Sequence, residues 1–179
     1  LSDPALMEFF TLSAETEPGN SALIFNSKKQ LMDYTLGLYA NGVNIISQLT
    51  SSTGKLKAQL REFHGEAFAL MTPGVWESIE HQKFINTLFI HKIPFEPPSK
   101  PEIMIASEGS HNSFMEVQIP AALLGLKRII NRLDSDDQSI EKTIVIFDAR
   151  IATRSYGKEF IAMLKEIGTV EIVHSSDLL

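Results

Sequence analysis

Gly54-Lys55 has the outline of the end of a phosphate-binding P-loop, but Leu56 follows where Ser or Thr is needed, and position 49 is Leu rather than Gly. Such a loop needs glycines so that successive amides face the phosphates, and a hydroxyl to hold magnesium. With both missing, Gly54 reads as part of a turn before a helix. No GxGxxG fingerprint and no GxSxG nucleophile elbow occur. The five histidines, His64, His81, His91, His111 and His174, show no HExxH spacing, and read as loop or core residues rather than zinc ligands. Asp136 and Asp137 are suited to a cation but read more simply as part of a solvated loop, Asp134–Gln138. Cys is absent, which excludes a disulfide scaffold, a thiolate metal site and a Cys nucleophile in this chain.

What remains is a set of cations, carboxylates and hydroxyls near the ends of apolar runs. Arg128 and Arg132 stand at i and i+4 and share one helix face, with Ala122, Leu126, Ile129, Ile130 and Leu133 on another. The spacing fits a presented basic pair, and it equally fits two solvated arginines. Asn26 and Ser27 follow one apolar run and precede a helical one, where either makes a good N-cap in any protein. Thr72 follows another such run, and Trp76 is the single tryptophan. A lone Trp suits a core or interface anchor, or an exposed contact surface.

These residues need elements to hold them. Strands are expected at Ser21–Phe25, Val43–Ser47, Ala67–Met71, Thr87–His91, Thr143–Phe147 and Thr169–Val173, all short and apolar. Helices are expected at Lys28–Tyr39 and Lys55–Phe63, after Pro120, and from Ser155 to Ile167. In the last, Tyr156, Phe160, Met163, Leu164 and Ile167 recur at spacings of three and four. Alternation of this kind implies an α/β domain: a mainly parallel central sheet of about six strands with helices on both faces. Pro94 to Pro101 holds four of the eight prolines and reads as an extended, rigid connection. The chain has 179 residues, enough for one domain, with 44% hydrophobic side chains and a net charge of −6. That charge argues against strong autonomous nucleic-acid binding, though not against a local basic groove. No apolar run is long enough to span a membrane. The absence of Cys fits a reducing compartment, so a cytoplasmic location is expected.

Met71-Thr72-Pro73-Gly74-Val75-Trp76-Glu77-Ser78-Ile79-Glu80 resembles the "sFWEGVD" segment of the DinG/XPD (Rad3-related) DNA helicases. Leu88-Phe89-Ile90-His91-Lys92-Ile93-Pro94-Phe95-Glu96-Pro97-Pro98 is similar to that family's "LVIxKLPFxxPxxP". Ile119-Pro120-Ala121-Ala122 and Leu126-Lys127 resemble the approach to motif VI, and Ile144–Arg150 followed by Thr153-Arg154-Ser155-Tyr156-Gly157 resembles "vvilDxR…tkrYG". Upstream, Ala22–Ser27 resembles motif IV, "LvLFTS". The segments keep the family's order over nearly the whole chain.

The resemblance implies a RecA-like fold and a fragment: residues 1–179 as a single C-terminal motor domain of a larger protein. The P-loop, most of the site for ATP and Mg, and any iron–sulfur cluster would belong to an N-terminal RecA-like lobe elsewhere in that protein. The family couples ATP hydrolysis to unwinding of DNA, so single-stranded DNA is the implied partner. Arg132 and Arg128 then take the catalytic role of stabilising charge on the γ-phosphate, since arginine stays charged and donates in a planar fork. Trp76, Glu77 and Glu80 become candidates for the nucleotide side, and Asn26, Ser27 and Thr72 for the DNA backbone. Asp148 and Arg150 are expected to form a stabilising pair. The sequence departs from "QGxGRLIR" at motif VI: Arg128 replaces Gln, Ile129 and Asn131 replace the glycines, and Ser135 replaces the last arginine. Ser78 and Glu80 likewise replace Gly and Asp. A lobe that no longer supports hydrolysis and serves as an interaction module is the competing expectation. A stand-alone flavodoxin-like domain fits the strand–helix rhythm but not the ordered motifs.

Overall fold

The computed structural model describes residues 3–16, 21–62, 67–79, 85–133 and 141–173. Five strands, β1 (Ser21–Ile24), β2 (Ile45–Ser47), β3 (Phe68–Met71), β4 (Thr87–Ile90) and β5 (Thr143–Ile146), form one parallel sheet in the order β2-β3-β1-β4-β5. Helices flank it. Ala22 pairs with Ala69 on one side and Leu88 on the other. The expected sixth strand, Thr169–Val173, carries no strand structure, and Ile172 and Val173 are exposed. Its β-branched composition satisfies strand propensity, but propensity alone does not supply a ladder partner.

The chain folds as two compact units, residues 1–92 with 129–147, and residues 93–128 with 148–179. The first holds the sheet with α1 (Pro4–Thr16), α2 (Lys28–Ala40), α3 (Thr53–Arg61) and α4 (Pro73–Ser78). On one face of the sheet Leu23, Phe25, Phe68, Leu70 and Phe89 meet Phe10 of α1 and Leu31, Tyr34 and Leu38 of α2. Ala22, Ile24, Ala69, Met71, Leu88 and Ile90, which alternate with them, are also fully buried. Both faces are therefore covered, which is why these strands read as continuous apolar runs. The helix α1 was not expected, although its start was legible. Asp3 accepts a hydrogen bond from the Ala5 amide at 3.0 Å, and Pro4 occupies the first helical position, a favoured pairing of cap and ring.

Helix α3 begins at Thr53, so Gly54 lies inside its first turn and not in a turn before it; Ser52 caps it by accepting from the Lys55 amide. His91 is buried in the core against Phe25 and Tyr34, and His111 is in an exposed loop. His64, His81, His174 and the Asp134–Gln138 stretch lie outside the described residues.

The second unit contains α5 (Pro101–Ala106), a π-helical turn (Phe114–Gln118), most of α6 (Ile119–Asn131), α7 (Arg150–Thr153) and α8 (Gly157–Ile167). Residues 93–100 form neither helix nor strand, but they are not the extended connection expected of them. The Phe95 amide bonds to the Ile93 carbonyl at 2.9 Å about Pro94, and the Lys100 amide to the Pro97 carbonyl at 3.0 Å. The prolines thus set two tight turns before Pro101 opens α5 at its first position. The helix expected from Ser155 to Ile167 is α8, which starts two residues later, at Gly157, after a corner that separates it from α7. A Cβ on Gly157 would collide with the Ile151 backbone carbonyl, so only glycine fits this corner. Of the expected stripe on α8, Phe160 is buried and Ile167 is exposed.

Candidate functional site at the carboxyl edge of the sheet

In an open parallel sheet, ligands bind outside the carboxyl ends of the strands, where the strand order reverses. Here β1 lies between β3 and β4, and the residues just beyond these ends are hydrogen-bonded to one another. Asn26, after β1, donates from Nδ2 to the Lys92 carbonyl at 3.0 Å, tying the ends of β1 and β4. Lys92 donates from Nζ to the Phe147 carbonyl at 2.8 Å, tying β4 to β5. On the other side, Gln48 Oε1 accepts from both the Thr72 amide at 2.7 Å and the Thr72 hydroxyl at 3.1 Å, tying β2 to β3.

Ser27 is the N-cap of α2, and its hydroxyl accepts from the Gln30 amide at 3.2 Å. The Ser-x-x-Gln spacing is that of a capping box. Asn26 and Ser27 are exposed, whereas Thr72 is half-buried. The amide and hydroxyl proton of Thr72 are already used by Gln48, so a phosphate at Thr72 must displace that side chain. Thr72 also stands at the N-cap of α4 without a side-chain cap bond.

Trp76 is fully buried, and its Nε1 donates to the Ile129 carbonyl at 2.8 Å. The expectation that its ring touches a nucleotide does not match this placement; the indole is an anchor. It fastens the last turn of α6 to the helix that leaves the carboxyl end of β3. Ala122, Leu126, Ile129, Ile130 and Leu133 are all buried, as the periodicity of that stretch requires. Arg128, in the last turn of α6, and Arg132, one residue past its end, are both exposed. No hydrogen bond or ion pair joins Arg132 to another described residue. Glu77 is half-buried beside Trp76 on α4, and Glu80 lies outside the described residues. Among the described residues no group of three or more His, Asp or Glu side chains converges to hold a metal ion.

In the second unit, Asp148 is buried and accepts from Arg150 Nε at 2.8 Å, from Arg150 Nη2 at 2.6 Å and from the Ile93 amide at 3.0 Å. This is the expected Asp148–Arg150 pair. Burial pushes the Asp148 carboxyl up, but the Arg150 guanidinium and the amides of Ile93 and Arg150 outweigh it, so the group sits below the usual carboxylate range. Lys92 and Gln48 carry no role in the sequence reading. A lysine directly after a buried strand is a usable signal for the first; nothing marks the second.

A parallel five-strand sheet of this order, flanked by helices, is a RecA-like α/β fold. The family described as "Helicase C-terminal domain" matches residues 11–167, and the chain belongs to it, as a C-terminal domain of the DinG/XPD type. It is 32% identical over 127 residues to the ATP-dependent DNA helicase YoaA of Escherichia coli, covering 67% of this chain and 19% of that protein. It is 27% identical to the 3'-5' exonuclease DinG of Bacillus subtilis, covering 93% of this chain and 19% of that protein. The chain thus spans about a fifth of the length of the curated relatives it matches. In fold it is similar to S. tokodaii Xpd4, with a TM-score of 0.65 at 14% identity over 90% of this chain and 32% of that one. A second XPD helicase structure gives 0.64 at 16% identity, over 92% of this chain and 32% of that one. Among the described residues no helix is long and apolar enough to cross a membrane.

Proposed function

We propose that this chain is the second motor lobe of a two-lobed, ATP-dependent DNA helicase of the DinG type. In this reading ATP and Mg are held mainly by an N-terminal RecA-like lobe of the same parent protein, which also carries any iron–sulfur cluster. This lobe closes over the nucleotide and grips single-stranded DNA, and relative motion of the lobes becomes stepping along the strand. Arg132, with Arg128, supplies positive charge to the γ-phosphoryl group as negative charge spreads over its oxygens. Trp76 contributes indirectly, by positioning the end of α6. Glu77 and Glu80 are assigned to the nucleotide, and Asn26, Ser27 and Thr72 to the DNA backbone, on their match to the family's motif segments.

The observation that carries this reading is the exposed Arg132, placed three residues beyond a carbonyl that the buried Trp76 fixes. Both residues come from segments that resemble helicase motifs. The test is DNA-stimulated ATP hydrolysis by the two-lobed parent, wild type beside Arg132→Ala. Loss of an arginine that stabilises phosphoryl transfer is expected to lower kcat by about 10³-fold or more, with little change in nucleotide affinity. Unchanged turnover removes Arg132 from the mechanism.

A second reading is a lobe that no longer supports hydrolysis and acts as a nucleic-acid or protein interaction module. Two observations favour it: motif VI has lost both glycines and its last arginine, and the relative matched over 93% of the chain is named as an exonuclease. A parent protein with no DNA-stimulated hydrolysis decides for this second reading.

A further inference from the structure

We propose that Phe114 and Phe95, backed by Tyr156 and Arg150, form a platform on which one unpaired base of a DNA strand stacks; this rests on the DNA-binding reading above. The cluster is graded from core to surface. Phe160 is fully buried 6.1 Å from Phe95, whereas Phe114 is 36% exposed. The Phe95 and Phe114 rings are close to parallel, 18° apart with centroids separated by 5.9 Å. Tyr156 meets Phe114 edge-on at 5.3 Å and Phe95 edge-on at 6.0 Å. The Arg150 guanidinium lies 4.8 Å from the Phe95 centroid and is held there by its two bonds to Asp148.

The inner rings are fixed by packing and the outermost, Phe114, is left reachable from solvent. Phe114 opens the π-helical turn, a rare geometry that recurs at functional sites. An aromatic face that is rigid and reachable binds a flat π-surface, and an unpaired nucleobase is one. Arg154 and Lys158, each two residues from Tyr156, are both exposed and available to backbone phosphates. Of the nearby acids, Glu116 is engaged by the Ser110 hydroxyl at 2.7 Å, and Glu159 is exposed. A free nucleotide has the same base chemistry, but two separate cations available to phosphates suit a strand that passes across the rings.

The experiment is fluorescence anisotropy of this chain with a labelled oligothymidine and with an abasic oligomer of equal length, plus ATP as a competitor. Phe114→Leu keeps the apolar volume and removes the π-face, and is expected to weaken oligothymidine binding roughly tenfold while leaving the abasic oligomer unaffected. Phe114→Trp is expected to bind oligothymidine at least as tightly as wild type. Equal affinity of Phe114→Leu and wild type for oligothymidine overturns the platform, and so does an equal loss on both oligomers, which marks a structural role. If Phe114→Leu does not fold, Phe114→Trp carries the test, and weaker binding to oligothymidine alone overturns the proposal. A loss confined to ATP assigns the rings to a free nucleotide and overturns the strand. Wild type that binds both oligomers equally removes the platform alone, whereas wild type that binds neither removes the DNA reading as well.

Discussion

The indole N–H of Trp76 and the backbone carbonyl of Ile129 lie 2.8 Å apart, fully buried, and join two segments 53 residues distant in the chain. A carbonyl in the last turn of a helix has no N–H of its own helix to accept, so an outside donor is required when water is excluded. Trp76 is that donor. Its bond fixes where α6 ends, and with it where Arg132 begins.

Trp76→Phe keeps most of the apolar volume and deletes the donor. The Ile129 carbonyl is then buried and unsatisfied, at a cost of about 1–3 kcal/mol. Equilibrium urea unfolding followed by circular dichroism measures it. Trp76→Ala adds a cavity and is expected to cost about 3–5 kcal/mol. A Phe variant as stable as wild type shows that the hydrogen bond does not matter.

Asp148 gives a pH signature. Its carboxyl is held below its ordinary value in the folded chain, so folding favours the ionised form. The stabilisation is complete above the unfolded value near 4 and is lost as pH falls through the lower folded value. Asp148→Asn is expected to cost on the order of 2 kcal/mol at neutral pH. It is also expected to flatten the fall in stability below about pH 4. Thermal unfolding between pH 2 and 7 reads both effects, and parallel curves for wild type and variant remove the assignment.

Two glycines are expected to respond in opposite directions. Gly157→Ala drives a methyl group into the Ile151 carbonyl, with a cost of at least about 1–3 kcal/mol. Gly74, inside α4, has nothing within 4 Å of the position a Cβ would take, so Gly74→Ala is expected to gain about 0.5–1 kcal/mol. Melting temperatures of the two variants settle it; destabilisation by both shows that α4 does not tolerate the added methyl.

Ser27 separates capping from DNA contact. Ser27→Ala removes the bond from the Gln30 amide and is expected to cost about 1 kcal/mol of stability. Ser27→Asp restores the cap but places a negative charge where a phosphate would approach. If Ser27 lines the DNA path, the Asp variant recovers stability and loses affinity for oligothymidine. Recovery of both makes Ser27 a cap and nothing more.

The cores of β1, β3 and β4 were legible in the sequence because strands buried on both faces read as apolar runs. These three, and the half-buried edge strand β5, fall within a residue or two of the runs that marked them. Helix α6 was legible for a related reason: Ala122, Leu126 and Ile129 repeat at the period a buried stripe demands. Local composition also misled. Thr169–Val173 has strand residues without a strand to pair with, because pairing is a property of the sheet and not of the segment. Trp76 read equally well as a contact surface or an anchor, and only the distance to Ile129, far along the chain, decides for the anchor. Asn26, Ser27 and Thr72 are legible in one dimension as polar groups at strand ends. Which of their donors are already engaged was decided by Lys92, Gln48 and Gln30, two of which lie far away in the chain. Periodicity and motif order are local properties and survive in the bare sequence. Hydrogen-bond partnership and exposure depend on which distant residues arrive, and the tertiary structure alone determines them.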